Sequence, residues 1–234
     1  MLYKFKIPTN AWVTPYCETM TDSYYHSINN LGVKGVEELV WPGKPDFVPL
    51  ADAFILRYHA HRVDFLTAAR LNYLSGWLIS EKMLDILLGF KLPEHGIYDA
   101  WVVHRKKRYL YKILHLYHSY DNVVDFGKSS FYVVDYLDKT NERVYIKDEK
   151  EYHLALSKLS QHNHMAAHKL YFIEESLIDV DIFKMQFIGS GIFFKKNIVD
   201  ALKANSITGI DFEPVTQPLT RNIRWADTGL PVAD

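Results

Sequence analysis

The chain has 234 residues, 48% of them hydrophobic and 24% charged, with a formal net charge of −1. This is ample material for a core in one large or two small domains. It is the composition neither of a disordered chain nor of a nucleic-acid binder, which carries a basic excess or stripe. The single cysteine, Cys17, excludes an intrachain disulfide, so nothing points to an oxidising compartment. MLYKFKIPTNAWVTP at the N-terminus lacks the apolar centre of a signal peptide, and no apolar run is long enough for a membrane span. The expected location is therefore the cytoplasm. Aromatic content is 15%, with sixteen tyrosines, which fits a sheet-rich core or a recognition surface.

In chain order, Met1 to Ile7 alternates and predicts a strand. Asp22 is placed to cap a short helix through Tyr25 and Ile28, ended by Asn29-Asn30 and Gly32. Val36 to Trp41 predicts a strand, and Trp41 to Asp46 a turn cluster. Phe54-Ile55-Leu56 is a short strand. Arg57 to Arg70 places Val63, Leu66 and Ala69 at helical spacing and predicts a helix.

Ser75 to Val102 and Ser190 to Val215 then present one pattern twice. Each begins Ser-Gly, runs through an apolar triplet (Trp77-Leu78-Ile79; Ile192-Phe193-Phe194), becomes polar, enters a helical pattern, and breaks at Gly-Ile. Both predict a strand–helix–strand unit, the triplets being strands covered on both faces. In the first, Ser80 caps a helix with Met83, Leu84, Leu87 and Leu88 on one face, stopped by Pro93 and Gly96. In the second, Ile198, Val199 and Leu202 form the face, Asn205 and Ser206 end it, and Gly209 permits the reversal. The order of apolar triplet (Phe54-Ile55-Leu56), polar start and helix with Val63-Asp64-Phe65-Leu66 loosely echoes the two units and reads as a third, degenerate copy.

Between the two units the pattern is β-rich. Tyr98–His104 and Tyr109–Tyr117 flank the basic run His104–Arg108 as a hairpin. Phe131–Leu137 and Arg143–Ile146 flank the turn formers Asp138–Asn141 as another. Glu149–Leu159 is a helix; Leu170–Ile173 and Phe183–Ile188 are strands. Thr216–Asp234 is a polar tail. The expected fold is α+β: a mixed sheet with two strand–helix–strand repeat units and central β-hairpins. Residues 1–234 form a single domain in this reading, with two pseudo-repeat lobes (75–102 and 190–215) as the alternative division.

KPDFVPLADAFIL (Lys44–Leu56), LNYLSGWLISEKMLDIL (Leu71–Leu87) and GSGIFFKKNIVDAL…GIDFEPV near the C-terminus resemble immunity proteins of bacterial polymorphic-toxin systems. Cells make such proteins beside a secreted toxin so as not to poison themselves or their kin. The resemblance implies a fold and a broad role; its residues are framework and bring no active site.

The residues that carry chemistry elsewhere form no catalytic pattern here. His59 and His61, two apart on the predicted helix, point to different faces. His162, His164 and His168, with Glu174 or Glu175 as a third ligand, is the best metal spacing, but it lacks the glutamate of H-E-x-x-H, and no metal or cofactor is expected. Ser190 lies in no nucleophile elbow, and no phosphate loop is present. Asp121 and Asp125 read as a solvated carboxylate pair. The basic run His104–Arg108 reads as a solvated turn, so no nucleic-acid partner is expected. The densest acidic group, Glu174, Glu175, Asp179 and Asp181, is the candidate surface for a basic protein partner.

The reading is thus a non-enzymatic protein that binds and neutralises a cognate toxin, through the toxin's C-terminal domain, with no membrane partner. The alternatives are an enzyme with a His/carboxylate cleft and a homodimeric scaffold.

Overall fold

The computed structural model describes residues 1–6, 16–19, 35–36, 39, 43–51, 54–56, 59–68, 76–135, 137–138, 140–173, 175, 179–185, 191–216 and 219–220. The predicted Asp22 helix, Glu174, Ser190 and most of the Val36–Trp41 strand lie outside them. The elements are β1 (Leu2–Lys6), β2 (Tyr16–Thr19), β3 (Phe54–Leu56), β4 (Phe65–Ala68), β5 (Gly76–Ile79), α1 (Glu81–Leu87), β6 (His95–His104) and β7 (Lys107–Leu116). They continue with the 3-10 turn η1 (Asp121–Val123), β8 (Ser130–Asp135), β9 (Thr140–Val144), α2 (Glu149–Ser157), β10 (Asn163–Leu170), β11 (Ile182–Met185), β12 (Gly191–Lys195), α3 (Lys196–Ala204), β13 (Asp211–Val215) and β14 (Leu219–Thr220). Helices and strands in mixed sheets make the fold α+β.

The chain divides into two compact units: Met1–Ser119 with Val180–Lys184 and Ile192–Pro214, and Tyr120–Asp179 with Met185–Gly191 and Val215–Asp234. The first contains a closed barrel, β2-β3-β6-β7-β5-β4, and a sheet in the order β11-β12-β1-β13. Phe54, Leu56, Leu66, Leu78, Val102 and Ile113 pack in the barrel interior. A second core lies outside the barrel wall: Trp77, Ile79, Leu114 and Leu116 meet Met83, Leu84 and Leu87 of α1 and Ile198, Val199 and Leu202 of α3. All four residues of β5 are buried because Leu78 faces one core while Trp77 and Ile79 face the other.

The same geometry overturns the predicted Arg57–Arg70 helix. Phe65 joins the outer core and Leu66 the inner one. Adjacent residues that must face opposite ways need a period of two, not 3.6. The segment is β4, paired antiparallel with β5 as Phe65↔Ile79 and Leu66↔Leu78, and the spacing of Val63, Leu66 and Ala69 is coincidental. With no helix over the described part of this segment, the third copy falls too.

Both strand–helix–strand units form, and both lie in the first compact unit. Ser80 caps α1, its Oγ accepting from the Met83 amide at 3.1 Å. The helix stops at Leu87, ahead of Pro93, and Leu88 is exposed rather than on the packed face. α3 buries the three expected residues and ends at Asn205, with Ser206 at φ 51° and Gly209 at φ 87°. In neither unit are the flanking strands neighbours: β7 runs between β5 and β6, and β1 between β12 and β13.

The second unit carries the sheet β14-β10-β8-β9 and α2. The predicted β8–β9 hairpin is present, and Asp135 Oδ1 accepts from the amides of Leu137 (2.8 Å) and Asp138 (3.1 Å) to shape its turn. Asp148 caps α2, accepting from the Glu151 amide at 2.8 Å, and Tyr152 packs with Phe126 and Phe131. The strand expected at Leu170–Ile173 is displaced: β10 starts at Asn163 and ends at Leu170, leaving Phe172 as an isolated bridge to Val124. Among the described residues no helix is long and apolar enough to cross a membrane.

Candidate partner-binding surfaces

The acidic group is not uniform. Glu175 and Asp179 are exposed. Asp181 is only 9% exposed and is fully occupied within the first unit. Its Oδ2 accepts from the Lys91 amide at 3.0 Å, and its Oδ1 accepts from Asn197 Nδ2 at 3.3 Å and pairs with Lys195 Nζ at 3.6 Å. Its own amide donates to the Lys91 carbonyl at 2.7 Å, and its carbonyl accepts from the Lys195 amide at 2.9 Å. Burial pushes this carboxyl up, but the Lys91, Asn197 and Lys195 donors more than offset it, and the net shift is downward.

Asp64 repeats this arrangement at the other end of the same helix pair. Its carbonyl accepts from the amide of Ser80, the cap of α1, as the Asp181 carbonyl does from Lys195, the cap of α3. Its carboxylate accepts from Ser80 Oγ (2.8 Å) and from the Thr208 amide (2.9 Å) and hydroxyl (2.8 Å), beyond α3. Asp181 likewise reaches Lys91, beyond α1. An aspartate just before the strand ahead of each unit thus clasps the loop that follows the helix of the other unit. Desolvation raises the Asp64 carboxyl, and the Ser80 and Thr208 bonds outweigh it, so it too is lowered. Sequence reading missed both clasps, although an Asp followed by two large apolar residues (Asp64-Phe65-Leu66, Asp181-Ile182-Phe183) was visible.

The histidines do not converge. His164 and His168 stand on strand β10 rather than on a helix, about 13 Å apart along it at strand rise. His162 bonds Gln161 Nε2 at 3.0 Å, and His168 meets Tyr132 edge-on. Burial lowers the His164 pKa. His59 and His61 are exposed in a turn ahead of β4, not on a helix. Among the described residues no group of three or more His, Cys, Asp or Glu could hold a metal. Asp121 and Asp125 serve different ends: Asp121 is 2% exposed, while Asp125 pairs with Lys128 Nζ at 2.9 Å.

The basic run forms the tip of the β6–β7 hairpin, with only Arg105 and Lys106 in the turn and Lys107–Arg108 already in β7. Arg105 (φ 49°) and Lys106 (φ 66°) are both left-handed, the two-residue turn that normally takes Asn-Gly. Behind it, strand alternation puts Ile97, Asp99, Trp101 and Val103 on the outer face of β6. The paired Arg108, Leu110 and Lys112 of β7 share that face. The Arg108 guanidinium lies 4.7 Å from the Trp101 ring centroid, and Lys112 pairs with Asp99 at 2.7 Å. On the inner face, Gly96 leaves room for the Tyr98 and Tyr117 hydroxyls, 3.0 Å apart, which a Cβ there would strike.

Residues 131–217, a little over a third of the chain, match the family model described as Immunity protein family (Imm11). The match contains the late motif Gly189–Val215, whereas Lys44–Leu56 and Leu71–Leu87 lie ahead of it. No curated protein matches the chain. Over residues 131–217 the chain is therefore similar to the immunity protein family Imm11, and the immunity-protein resemblance of its framework residues is shown there.

Proposed function

We propose that this protein neutralises a cognate protein toxin of a polymorphic-toxin system by binding the toxin's C-terminal domain in the cytoplasm, without catalysis. The observation that carries the reading is the immunity-family match over residues 131–217. Occlusion by a tight complex needs a rigid scaffold and a few desolvated anchors rather than a reactive centre. The clasped helix pair of the first unit is a scaffold of that kind. Glu175 and Asp179, both exposed, steer a basic region of the toxin, a long-range role that needs charge but little contact area. Asp181 belongs to this group only in sequence and acts inside the fold. The test is co-expression with the C-terminal domain of the large secreted protein encoded beside this chain, followed by co-purification. Restored growth and a stable complex support the reading; unrestored growth with no complex overturns it.

A further inference from the structure

We infer that the outer face of the β3–β6–β7 strands, with its basic hairpin tip, is a docking surface for an acidic-rimmed apolar patch on the toxin domain. The identity of the partner rests on the immunity reading; the surface rests on the geometry. β3 pairs with β6 as Ile55↔Val103, and β6 with β7 as Trp101↔Leu110, so these side chains form one continuous outward patch. Ile55 is 37% and Leu110 41% exposed, and the Asp99–Lys112 pair bounds the patch on the side away from the tip. The inner face of the same strands already fills the barrel core, so the fold does not need these outer apolar side chains for that core. Alternation on a half-solvated strand normally puts polar residues there.

Charge indicates the occupant. Arg105, Lys106, Lys107 and Arg108 are consecutive in a chain of net charge −1; Arg105 and Lys106 form the hairpin tip at one edge of the patch, and Arg108 lies on its outer face. The first two occupy left-handed backbone positions at a steric cost that Asn-Gly would not incur. Arg108 is held over Trp101, so a Trp and an Arg, the residue types that dominate binding hot spots, are placed before any partner arrives. A protein surface with an apolar centre and carboxylates at its rim satisfies both parts; nucleic acid would leave Ile55 and Leu110 without a counterpart.

The experiment measures association of the full chain with the C-terminal toxin domain encoded beside it, by surface plasmon resonance at low and high salt. Two variants are compared with the wild type. Arg105→Asn/Lys106→Gly removes two cations and relaxes the turn; it is expected to melt higher yet associate about tenfold more slowly at low salt, with a flatter salt dependence. Leu110→Glu is expected to weaken the complex at least about tenfold with an unchanged melting temperature. If both variants bind within about twofold of wild type, this surface is overturned while the immunity reading stands. If the wild type itself fails to bind, the immunity reading fails and this surface with it. Tighter binding of single-stranded RNA than of the toxin domain, lost in the tip variant, overturns the protein partner.

Discussion

Asp181→Asn separates a clasp from a contact surface. The substitution keeps size and one acceptor but removes the charge that holds the Lys91 amide, Asn197 and Lys195. A hydrogen bond to a charged group is worth about 1.5–3 kcal/mol, and the Lys195 pair, partly open to solvent, adds about 0.5 kcal/mol. The amide recovers part of this, so the expected loss is about 2 kcal/mol at pH 7, read by urea denaturation with an unchanged m-value. The acid dependence supplies the second readout. The folded-state pKa of Asp181 is lowered, so its contribution is fully present above the unfolded value near 3.9 and is lost as pH falls through the folded one. The wild-type advantage over Asp181→Asn is therefore expected to shrink between about pH 5 and pH 2. A loss under about 0.5 kcal/mol at pH 7, or one that does not change across this range, refutes the clasp. Weaker toxin binding in this variant, if accompanied by that destabilisation, reports folding rather than an interface.

Four further outcomes are expected. Ser80→Ala removes both the cap of α1 and a donor to Asp64, for a loss of about 1–2 kcal/mol in the same denaturation assay. Gly209→Ala places a Cβ against the Phe65 carbonyl and 2.6 Å from Val63 Cγ2 at φ 87°, for a loss of about 3 kcal/mol; a melting temperature equal to wild type contradicts the close approach. Gly96→Ala displaces the Tyr98 and Tyr117 hydroxyls. Here side chains rather than backbone must give way, so the loss is smaller, about 1–2 kcal/mol in the same denaturation assay. Glu175→Lys/Asp179→Lys, both on the surface, is expected to change stability by less than about 0.5 kcal/mol and, by repelling a basic region of the toxin domain, to slow association severalfold at low salt; equal rates at all salt concentrations remove these two residues from the encounter.

Local signals determined a large part of this protein from sequence alone. Ser80 ahead of an apolar helical face, Gly209 after another, and the turn formers between Phe131 and Ile146 each act within a few residues. Caps and turns of this kind form the same way in most surroundings. α1, α3 and the β8–β9 hairpin are accordingly where the pattern puts them. Other features depend on residues far apart in the chain, and only the tertiary structure decided them. Phe65-Leu66 became a strand because two cores lie on either side of it; helical spacing over so short a stretch cannot register that. His164 and His168 share a strand, so a spacing that would pair them on a helix separates them. The acidic group divided, Asp181 going inward to Lys91 while Glu175 and Asp179 stayed exposed, because burial of a carboxylate depends on which donors the fold brings to it. The Asp64 clasp joins residues 144 apart in sequence. The apolar outer face of β6 and β7 was written in the alternation of Ile97, Trp101 and Val103, but which face is outward is decided by closure of the barrel.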